Sequence, residues 1–315
     1  MPAWFGGAYS STISAMDQRY APDFRRLRHL LLAAGLLAGL ALAWQPGPSA
    51  ASGPRETAAG VLEHETQSEF SRIRIRKLGT VRSMIFVRDS GEEALESSID
   101  LRQPHVLQFE YLKFLFTSYL LRPQQEVVLI VGLGAGGMIH FLRHVDPKLR
   151  IDVVEIDPVV VKLAAEYFNT RSGVGVNVIT GDGLKFLAET GTKYDVIYVD
   201  AFLKPSAGTD DTGAPLNLRT QQFYKVMQSK LKPGGLVAFN LNPHANLVED
   251  LKNVGEAFPQ AYVFPMVLFG GAVALGSSEA RRVDGAEVER RGRELDRRFD
   301  VPSMSFHEMS LRLRR

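Results

Sequence analysis

The feature that most constrains the fold is a strand that runs directly into a glycine-rich turn. The five apolar residues Val127–Val131 are too few for a helix and predict a strand buried on both faces. Gly132, Gly134 and Gly136 follow at once, and from Met138 the apolar residues return at helical spacing. The pattern predicts a strand, a tight turn and a helix, in which glycines let a ligand approach the backbone and helix N–H groups.

A carboxylate follows this unit at the spacing of a nucleoside-binding site. A second apolar strand at 151–156 contains Glu155, about twenty residues after the turn. A carboxylate there can accept hydrogen bonds from both hydroxyls of a ribose. A glycine-rich turn alone is compatible with simple close packing, but here strand, turn, helix, strand and acid fall in register. The sequence therefore predicts a nucleoside site.

Strands and helices alternate through the rest of the central region, which ends with two apolar runs at 261–269 and 272–275. Helices between strands give parallel, right-handed crossovers, so the alternation predicts a doubly wound α/β sheet with an antiparallel edge hairpin. Upstream, apolar residues alternate with polar ones from Glu69 and predict a small antiparallel N-terminal sheet of three strands. A single helix is expected at 105–121.

These patterns divide the chain into four expected segments. They are a signal-like or anchor segment with a linker at 1–54, a β-domain with a helix at 65–122, a nucleoside-binding Rossmann-like domain at 123–280, and a charged C-terminal helix or tail at 281–315. Intermixed charges in the last segment predict a solvated helix.

Composition excludes several functional classes. The 37 basic and 35 acidic residues nearly balance, which gives no electrostatic footprint for nucleic acid. Cysteine is absent, so disulfides, thiolate metal sites and cysteine nucleophiles are excluded. The seven histidines form no ligand pair of the HExxH kind, and no metal is expected.

The N-terminal segment resembles a targeting sequence. An uncharged run begins at Leu30 and ends at Trp44, after a cluster of arginines and before small residues around Ser49. This order is typical of a signal peptide, and the run is shorter than the roughly 20 residues of a membrane span. Export or anchoring to the inner membrane is expected, with a buried helix as the alternative. Whether the segment is cleaved stays open.

Two further acids follow predicted strands. Asp182 lies in a Gly-Asp-Gly turn with Gly183, and Asp200 stands where a strand gives way to a long loop. Ligands of open α/β sheets bind outside the carboxyl ends of the strands, so both acids are expected at the site of Glu155. Asp182 has a structural alternative as a helix cap, and Asp157 is interpreted as a cap because Pro158 follows it.

Several segments together resemble the spermidine synthase family of aminopropyltransferases. They are VLIVGLGAGG, VVEIDPVVV, VITGDGLKFL, YDVIYVDAF, QFYKVMQSKLKPGG and LVAFNLN, in the order of that family. The resemblance covers roughly residues 65–280, and class I methyltransferases that bind S-adenosylmethionine share the central motifs. It implies a seven-stranded class I methyltransferase-like sheet with a small N-terminal β-domain.

The resemblance also implies roles for particular residues. The glycines of the turn and Glu155 would hold the nucleoside, Asp182 with Gly183 would read the adenine, and Asp200 would take the proton of the attacking amine. The cofactor-binding candidates are Gly132, Gly134, Ala135, Gly136, Glu155, Asp182 and Gly183.

The chain departs from the family on the other half of the site. Ala135 stands where the family has an acid that holds the donor's amine, and Leu203 replaces a second acid that helps bind the polyamine. Glu110 and Tyr111 fall at the family's Tyr-His-Glu position and are the candidate substrate-binding residues. Buried ammonium groups need carboxylates, and an acid at Ala135 would repel the carboxylate of intact S-adenosylmethionine. Both donors therefore stay open.

The leading hypothesis is transfer of an aminopropyl group from decarboxylated S-adenosylmethionine to an amine, with Asp200 as base. The alternatives are methyl transfer from S-adenosylmethionine to an amine or other nucleophile, and an exported, non-catalytic binding protein of the same fold. A homodimer is one expectation for the assembly. Localisation stays open, because the N-terminus indicates export while sulfonium donors are made in the cytosol.

Overall fold

The strands of the chain form two separate sheets in the computed structural model, which describes residues 60–203, 208–209, 213–268 and 270–314. The signal-like segment, with its run from Leu30 to Trp44, lies outside the described residues. Within the described ranges, none of the helices is both long and apolar enough to cross a membrane.

The N-terminal sheet has four antiparallel strands in sequential order. They are β1 (Val61–Gln67), β2 (Arg72–Leu78), β3 (Val81–Val87) and β4 (Glu93–Asp100). The sequence predicted only three of them and missed β1. This edge strand contains no buried residue, so it lacks the apolar alternation by which the other strands were found.

The larger sheet has seven strands in the order β10-β11-β9-β8-β5-β6-β7. Pairings from β9 through β7 are parallel, and β11 and β10 add an antiparallel edge, as predicted. The strands are β5 (Val127–Val131), β6 (Arg150–Glu155), β7 (Val176–Thr180), β8 (Tyr194–Val199), β9 (Leu231–Leu241), β10 (Gln260–Pro265) and β11 (Ala272–Ser277). Strand order reverses between β5 and β8, where open α/β sheets bind their ligands.

Helices cover both faces of this sheet. The helices are α1 (Glu110–Leu115), α2 (Ser118–Leu121), α3 (Gly137–Val145), α4 (Pro158–Phe168), α5 (Gly183–Glu189), α6 (Gln221–Ser229), α7 (Leu247–Ala257), α8 (Gly285–Phe299) and α9 (Phe306–Ser310), with a 3₁₀ turn at Leu216–Arg219. All five residues of β5 are buried, and they alternate between two apolar cores, one on each face of the sheet. This explains why β5 reads as a continuous apolar run.

Two sequence-based expectations about element boundaries were wrong. The helix expected at 105–121 is two short helices, broken where the Thr117 hydroxyl donates to the carbonyl of Phe114 at 2.6 Å. The sequence also predicts that Lys232-Pro233-Gly234-Gly235 ends a helix before a strand at 236–241, but this segment lies inside β9, where Leu231 already pairs with Tyr194. The register shifts between these partners, so the segment forms a bulge rather than a break.

The C-terminal segment is helical, as expected, but it is not merely a solvated helix. One face of α8 buries Val288, Leu295 and Phe299, while arginines and glutamates occupy its outer face. The ring of Phe299 meets that of Tyr119 edge-on with centroids 5.0 Å apart, so α8 closes the core over α2. The many charged residues of this segment made the apolar stripe difficult to recognise in the sequence.

An ionic cluster around Asp195 joins the amino ends of the central strands. The Asp195 carboxylate accepts hydrogen bonds from the backbone N–H groups of Glu126 (2.8 Å) and Val127 (2.9 Å) and from the side chains of Arg122 and Lys232 (both 2.9 Å). The carboxylate is almost fully buried. Its pKa is lowered, because these donors together outweigh the desolvation that acts against them. The cluster therefore fixes β8 against β5 and β9.

We predict that Asp195→Asn lowers the free energy of unfolding by about 2–4 kcal/mol, because two cations lose their buried partner. A depressed carboxylate pKa gives stability that is full above the ordinary pKa of aspartate and is lost as the pH falls through the folded value. Urea unfolding at neutral and acidic pH would measure this. The matched control is Asp300→Asn, an exposed aspartate at a left-handed position that asparagine tolerates. Equal stability of the two variants at neutral pH would contradict the prediction.

Candidate active site

A cavity of about 480 Å³ opens at the carboxyl ends of β5, β6 and β8. The glycine turn and Glu155 form its floor, and residues of the loop after β8 line one wall. The opposite wall comes from the N-terminal sheet, through Phe86, Glu96 and Ser97, and from Tyr111 on α1. The structure therefore brings Gly132, Gly134, Gly136, Glu155, Asp182, Gly183, Asp200 and Tyr111 together as the sequence predicted.

The conformation of the glycine turn is possible only because its three glycines have no side chains. Gly132, Gly134 and Gly136 all have positive φ angles, of 98°, 52° and 87°. A Cβ on Gly132 would lie 2.1 Å from the carbonyl oxygen of Asp200, and one on Gly136 would lie 2.2 Å from the Thr170 side chain. Glycine is thus required by both the backbone conformation and the close approach of neighbouring segments.

Glu155 closes the floor of the cavity. One carboxylate oxygen accepts from the N–H of Leu133 and the other from the N–H of Asp157, both at 2.9 Å. Burial raises its pKa, although these two hydrogen bonds act in the opposite direction. A carboxylate has about four lone-pair positions, so acceptor capacity remains for donors such as ribose hydroxyls. Glu155 therefore both orders the turn and offers acceptors to a ligand.

Asp182 caps a helix and also lies in the lining of the cavity. Its Oδ1 accepts from the N–H of Lys185 at 2.8 Å and caps α5, while the residue also lines the cavity. A Cβ on the following residue, Gly183, would lie 2.8 Å from the Val131 side chain, so glycine allows α5 to begin against β5. Asp157 is a helix cap, as interpreted, and accepts from the N–H of Val159 at 2.8 Å.

Asp200 stands at the end of β8 with its carboxylate in the cavity. Its backbone N–H donates to the carbonyl of Val131, and its Oδ1 accepts from the Nδ2 of Asn240, both at 2.9 Å. Desolvation raises its pKa to about 6, with the Asn240 hydrogen bond acting in the opposite direction. A half-buried carboxylate with this pKa can accept a proton near neutral pH.

Two of the predicted site residues do not line the cavity. Glu110 instead accepts from the N–H of Leu268 at 3.0 Å and from Arg312 at 2.9 Å, which ties α1 to the β10–β11 loop and the C-terminal segment. This placement corrects the expectation that Glu110 faces the substrate. Ala135 is fully buried, and its N–H donates to the Oγ of Ser97 at 3.1 Å. Leu203, where the family has an acid, does line the cavity.

Sequence reasoning missed the contribution of β4. Met84 pairs with Ser97 and Ile85 with Leu95, so Glu96 is the extra residue of a β-bulge. The bulge allows the consecutive residues Glu96 and Ser97 to line the same cavity, which an unbroken strand would prevent by alternation. No local pattern marks such a bulge, and only an acid within a strand hinted at it.

These observations define a class I methyltransferase-like α/β protein. Residues 116–268 match the family model of the spermine/spermidine synthase domain. The polyamine aminopropyltransferase of Vibrio vulnificus is 28% identical over 190 residues, which make up 59% of this chain and 61% of that protein. Residues 116–268 are thus similar to the spermine/spermidine synthase domain, and the resemblance found in the sequence is confirmed.

Solved structures share the fold. A spermidine synthase in complex with the transition-state analogue AdoDATO is 18% identical with a TM-score of 0.59, covering 79% of this chain and 83% of that one. Human methyltransferase-like protein 13 in complex with SAH is 26% identical with a TM-score of 0.53, covering 61% of this chain and 90% of that one. Alignments with the first three curated relatives span 61%, 24% and 50% of their lengths.

Across the described ranges, no three or more His, Cys, Asp or Glu side chains are grouped so that they could hold a metal ion. Where described residues line the cavity, their charged groups are the carboxylates of Glu96, Glu155, Asp157, Asp182 and Asp200. The cavity is therefore suited to hydroxyl and amine donors of an organic ligand.

We predict that Asp200→Asn makes the free protein more stable at about pH 8 and no more stable at about pH 4. A carboxylate whose folded pKa lies above its unfolded value destabilises the fold as the pH rises through both values. The expected gain in the free energy of unfolding is about 1–2 kcal/mol. This is less than the full pKa shift of Asp200 implies, because its side chain keeps partial solvent exposure. Thermal unfolding at both pH values would measure it, and a variant less stable than the wild type at the higher pH would contradict it.

Proposed function

We propose that this protein transfers an aminopropyl group from decarboxylated S-adenosylmethionine to an amine. The proposal rests chiefly on Asp200, whose carboxylate stands in the same cavity as the glycine turn and Glu155 and has its pKa raised to about 6. A nucleoside cradle and a proton acceptor in one cavity are what an amine attacking a sulfonium nucleoside requires.

The comparisons support the proposal through the names of the relatives. The Vibrio vulnificus relative is a polyamine aminopropyltransferase, and one structural neighbour is a spermidine synthase in complex with AdoDATO. The substrate classes are proposed for this chain only from that similarity, because the alignments leave part of each relative unmatched. The cavity residues supply the independent support.

Each part of the cavity has a role in this reaction. The remaining acceptor capacity of Glu155 suits the ribose hydroxyls, and the second carboxylate oxygen of Asp182 suits the exocyclic amine of adenine. The glycine turn lets the donor lie against the backbone, where a side chain would exclude it. Burial, together with the nearby charge of Asp200, raises the pKa of the Tyr111 hydroxyl, which keeps the tyrosine neutral.

The reaction is an in-line substitution. The lone pair of the acceptor nitrogen forms a bond to the methylene carbon next to sulfur, and the carbon–sulfur bond breaks with its electron pair going to sulfur. The sulfonium becomes the neutral thioether of methylthioadenosine, and the alkylated nitrogen loses one proton. Asp200 is the carboxylate placed to accept that proton.

Methyl transfer from intact S-adenosylmethionine is the second candidate. The favouring observation is that alanine at 135 and leucine at 203 remove two carboxylates that the resemblance places around the amines. Human methyltransferase-like protein 13, whose structure was solved in complex with SAH, is matched by this chain over 90% of its length. In that reaction the methyl group would leave sulfur for the acceptor, and Asp200 would serve only an acceptor that carries a proton.

The deciding experiment is calorimetric titration of the full chain with each donor. We predict that decarboxylated S-adenosylmethionine binds more tightly than the intact form, and that Glu155→Gln weakens both by roughly tenfold or more because a hydroxyl–carboxylate bond is lost. Tighter binding of the intact donor would favour methyl transfer. Failure to bind either donor would overturn both transferase proposals and favour a non-catalytic binding protein.

We predict that kcat/KM for aminopropyl transfer rises as the pH rises through about 6, because Asp200 of the free protein must be ionised to accept a proton. Asp200→Asn should lower kcat by roughly 100-fold or more and abolish this limb of the pH profile. Steady-state rates across pH, with putrescine-like diamines as acceptors, would measure both effects. An unchanged limb in the variant would exclude Asp200 as the titrating base.

A further inference from the structure

Glu96 is an acid of the cavity for which neither the mechanism nor the motifs give a role. It is the extra residue of the β4 bulge, and it lies on the wall of the cavity that the N-terminal sheet provides. Among the described residues, no donor forms a hydrogen bond or salt bridge with its carboxylate. By contrast, the carboxylate of Asp195, which has a structural role, accepts hydrogen bonds from several donors.

The surroundings of Glu96 make an unpaired carboxylate costly. Burial and the charge of Asp200 across the cavity raise the pKa of Glu96 to about 7, and the guanidinium of Arg88 offsets this only in part. Tyr111 from α1 lines the same cavity, and burial, followed by the charges of Asp200 and Glu96, raises the pKa of its hydroxyl. Glu96 and Asp200 are thus two acids, one on the N-terminal sheet and one at the end of β8, that line one cavity, and no cation is among the described residues that line it.

The position of Glu96 relates it to the acid missing at 135. The adjacent Ser97 accepts from the backbone N–H of Ala135, so the bulge of β4 lies directly over that part of the glycine turn. An added Cβ on Gly134 would be 3.2 Å from the Ser97 Oγ, which shows how closely the strand covers the turn. A carboxylate absent from the turn is therefore present on the strand that covers it.

We infer that Glu96 and Asp200 together bind an alkylammonium group of the substrate, with Glu96 supplying from the N-terminal sheet the carboxylate that Ala135 and Leu203 do not. This inference rests on the proposed function and names its cation site. A cation placed between two carboxylates relieves their repulsion and restores the ionised form of both. Two groups carry this chemistry: the terminal ammonium of the decarboxylated donor and an ammonium of the acceptor.

Glu96→Gln tests the inference, because it keeps the shape and removes the charge. We predict that the variant binds decarboxylated S-adenosylmethionine or a diamine roughly tenfold to 100-fold more weakly than the wild type. Methylthioadenosine, which has the nucleoside but no ammonium, should bind equally to both. The control is Glu189→Gln, an exposed glutamate at the end of α5 and outside the cavity, which should bind every ligand as the wild type does.

The ligands distinguish the source of the ammonium. A loss confined to the decarboxylated donor, titrated alone, assigns Glu96 to the donor's aminopropyl chain. A loss confined to the diamine, titrated in the presence of methylthioadenosine, assigns it to the acceptor. Wild-type affinity of Glu96→Gln for both cations would overturn the inference and leave the proposed function intact. No binding of any of these ligands to the wild type would overturn the proposed function itself.

A measurement on the wild type covers the case in which Glu96→Gln does not fold. Near the raised pKa of about 7, Glu96 is partly protonated in the free protein, and a bound ammonium expels that proton. Calorimetry in buffers of different ionisation enthalpy should show proton release with the cationic ligand and less with methylthioadenosine. Equal proton release for the two would contradict a cation site at Glu96.

Discussion

The site depends on one close backbone contact, the approach of the glycine turn to the end of β8. The N–H of Asp200 donates to the carbonyl of Val131, and Gly132 passes so near the carbonyl of Asp200 that a Cβ would overlap it. This contact sets the distance between the glycine turn, which is suited to bind a nucleoside, and the carboxylate of Asp200, which is suited to accept a proton. It also explains why the turn needs a glycine at that position irrespective of any ligand.

The second wall of the cavity comes from a different sheet, and its shape depends on an irregularity. The bulge in β4 turns both Glu96 and Ser97 toward the turn, where Ser97 satisfies the N–H of Ala135. The N-terminal sheet is therefore part of the binding site rather than a separate support. A ligand that fills the cavity would contact residues separated by about half of the chain.

The sequence predicted those features that are carried by local patterns. The apolar run of β5, the three glycines and the Asp157-Pro158 cap are local, and the structure has them as expected. The parallel pairing of the central strands and the antiparallel edge of the large sheet followed from the alternation of strands and helices. The cavity position of Asp200 followed from its place at the end of a strand.

The features that were missed depend on partners distant in the chain. Nothing near Glu110 reveals that Arg312 and the backbone of Leu268 occupy its carboxylate. The bulge at Glu96 exists only in its register against β3, and the apolar stripe of α8 is diluted by arginines and glutamates. Alignment by motif also placed Ala135 at the ligand, whereas its side chain is fully buried beneath the strand.

The acids of the cavity show a conflict between stability and binding. Asp195, far from the cavity, has donors for both of its oxygens and a lowered pKa. Within the described ranges, by contrast, Asp200 has one side-chain donor and Glu96 has none, and their pKa values are raised. A fold selected only for stability would pair or remove such carboxylates. The presence of these two carboxylates is understandable if a cationic ligand binds between them. Their mutual repulsion destabilises the free protein, and relief of that repulsion would then contribute to the affinity for the ligand. The missing acids at 135 and 203 therefore do not by themselves argue for a neutral substrate.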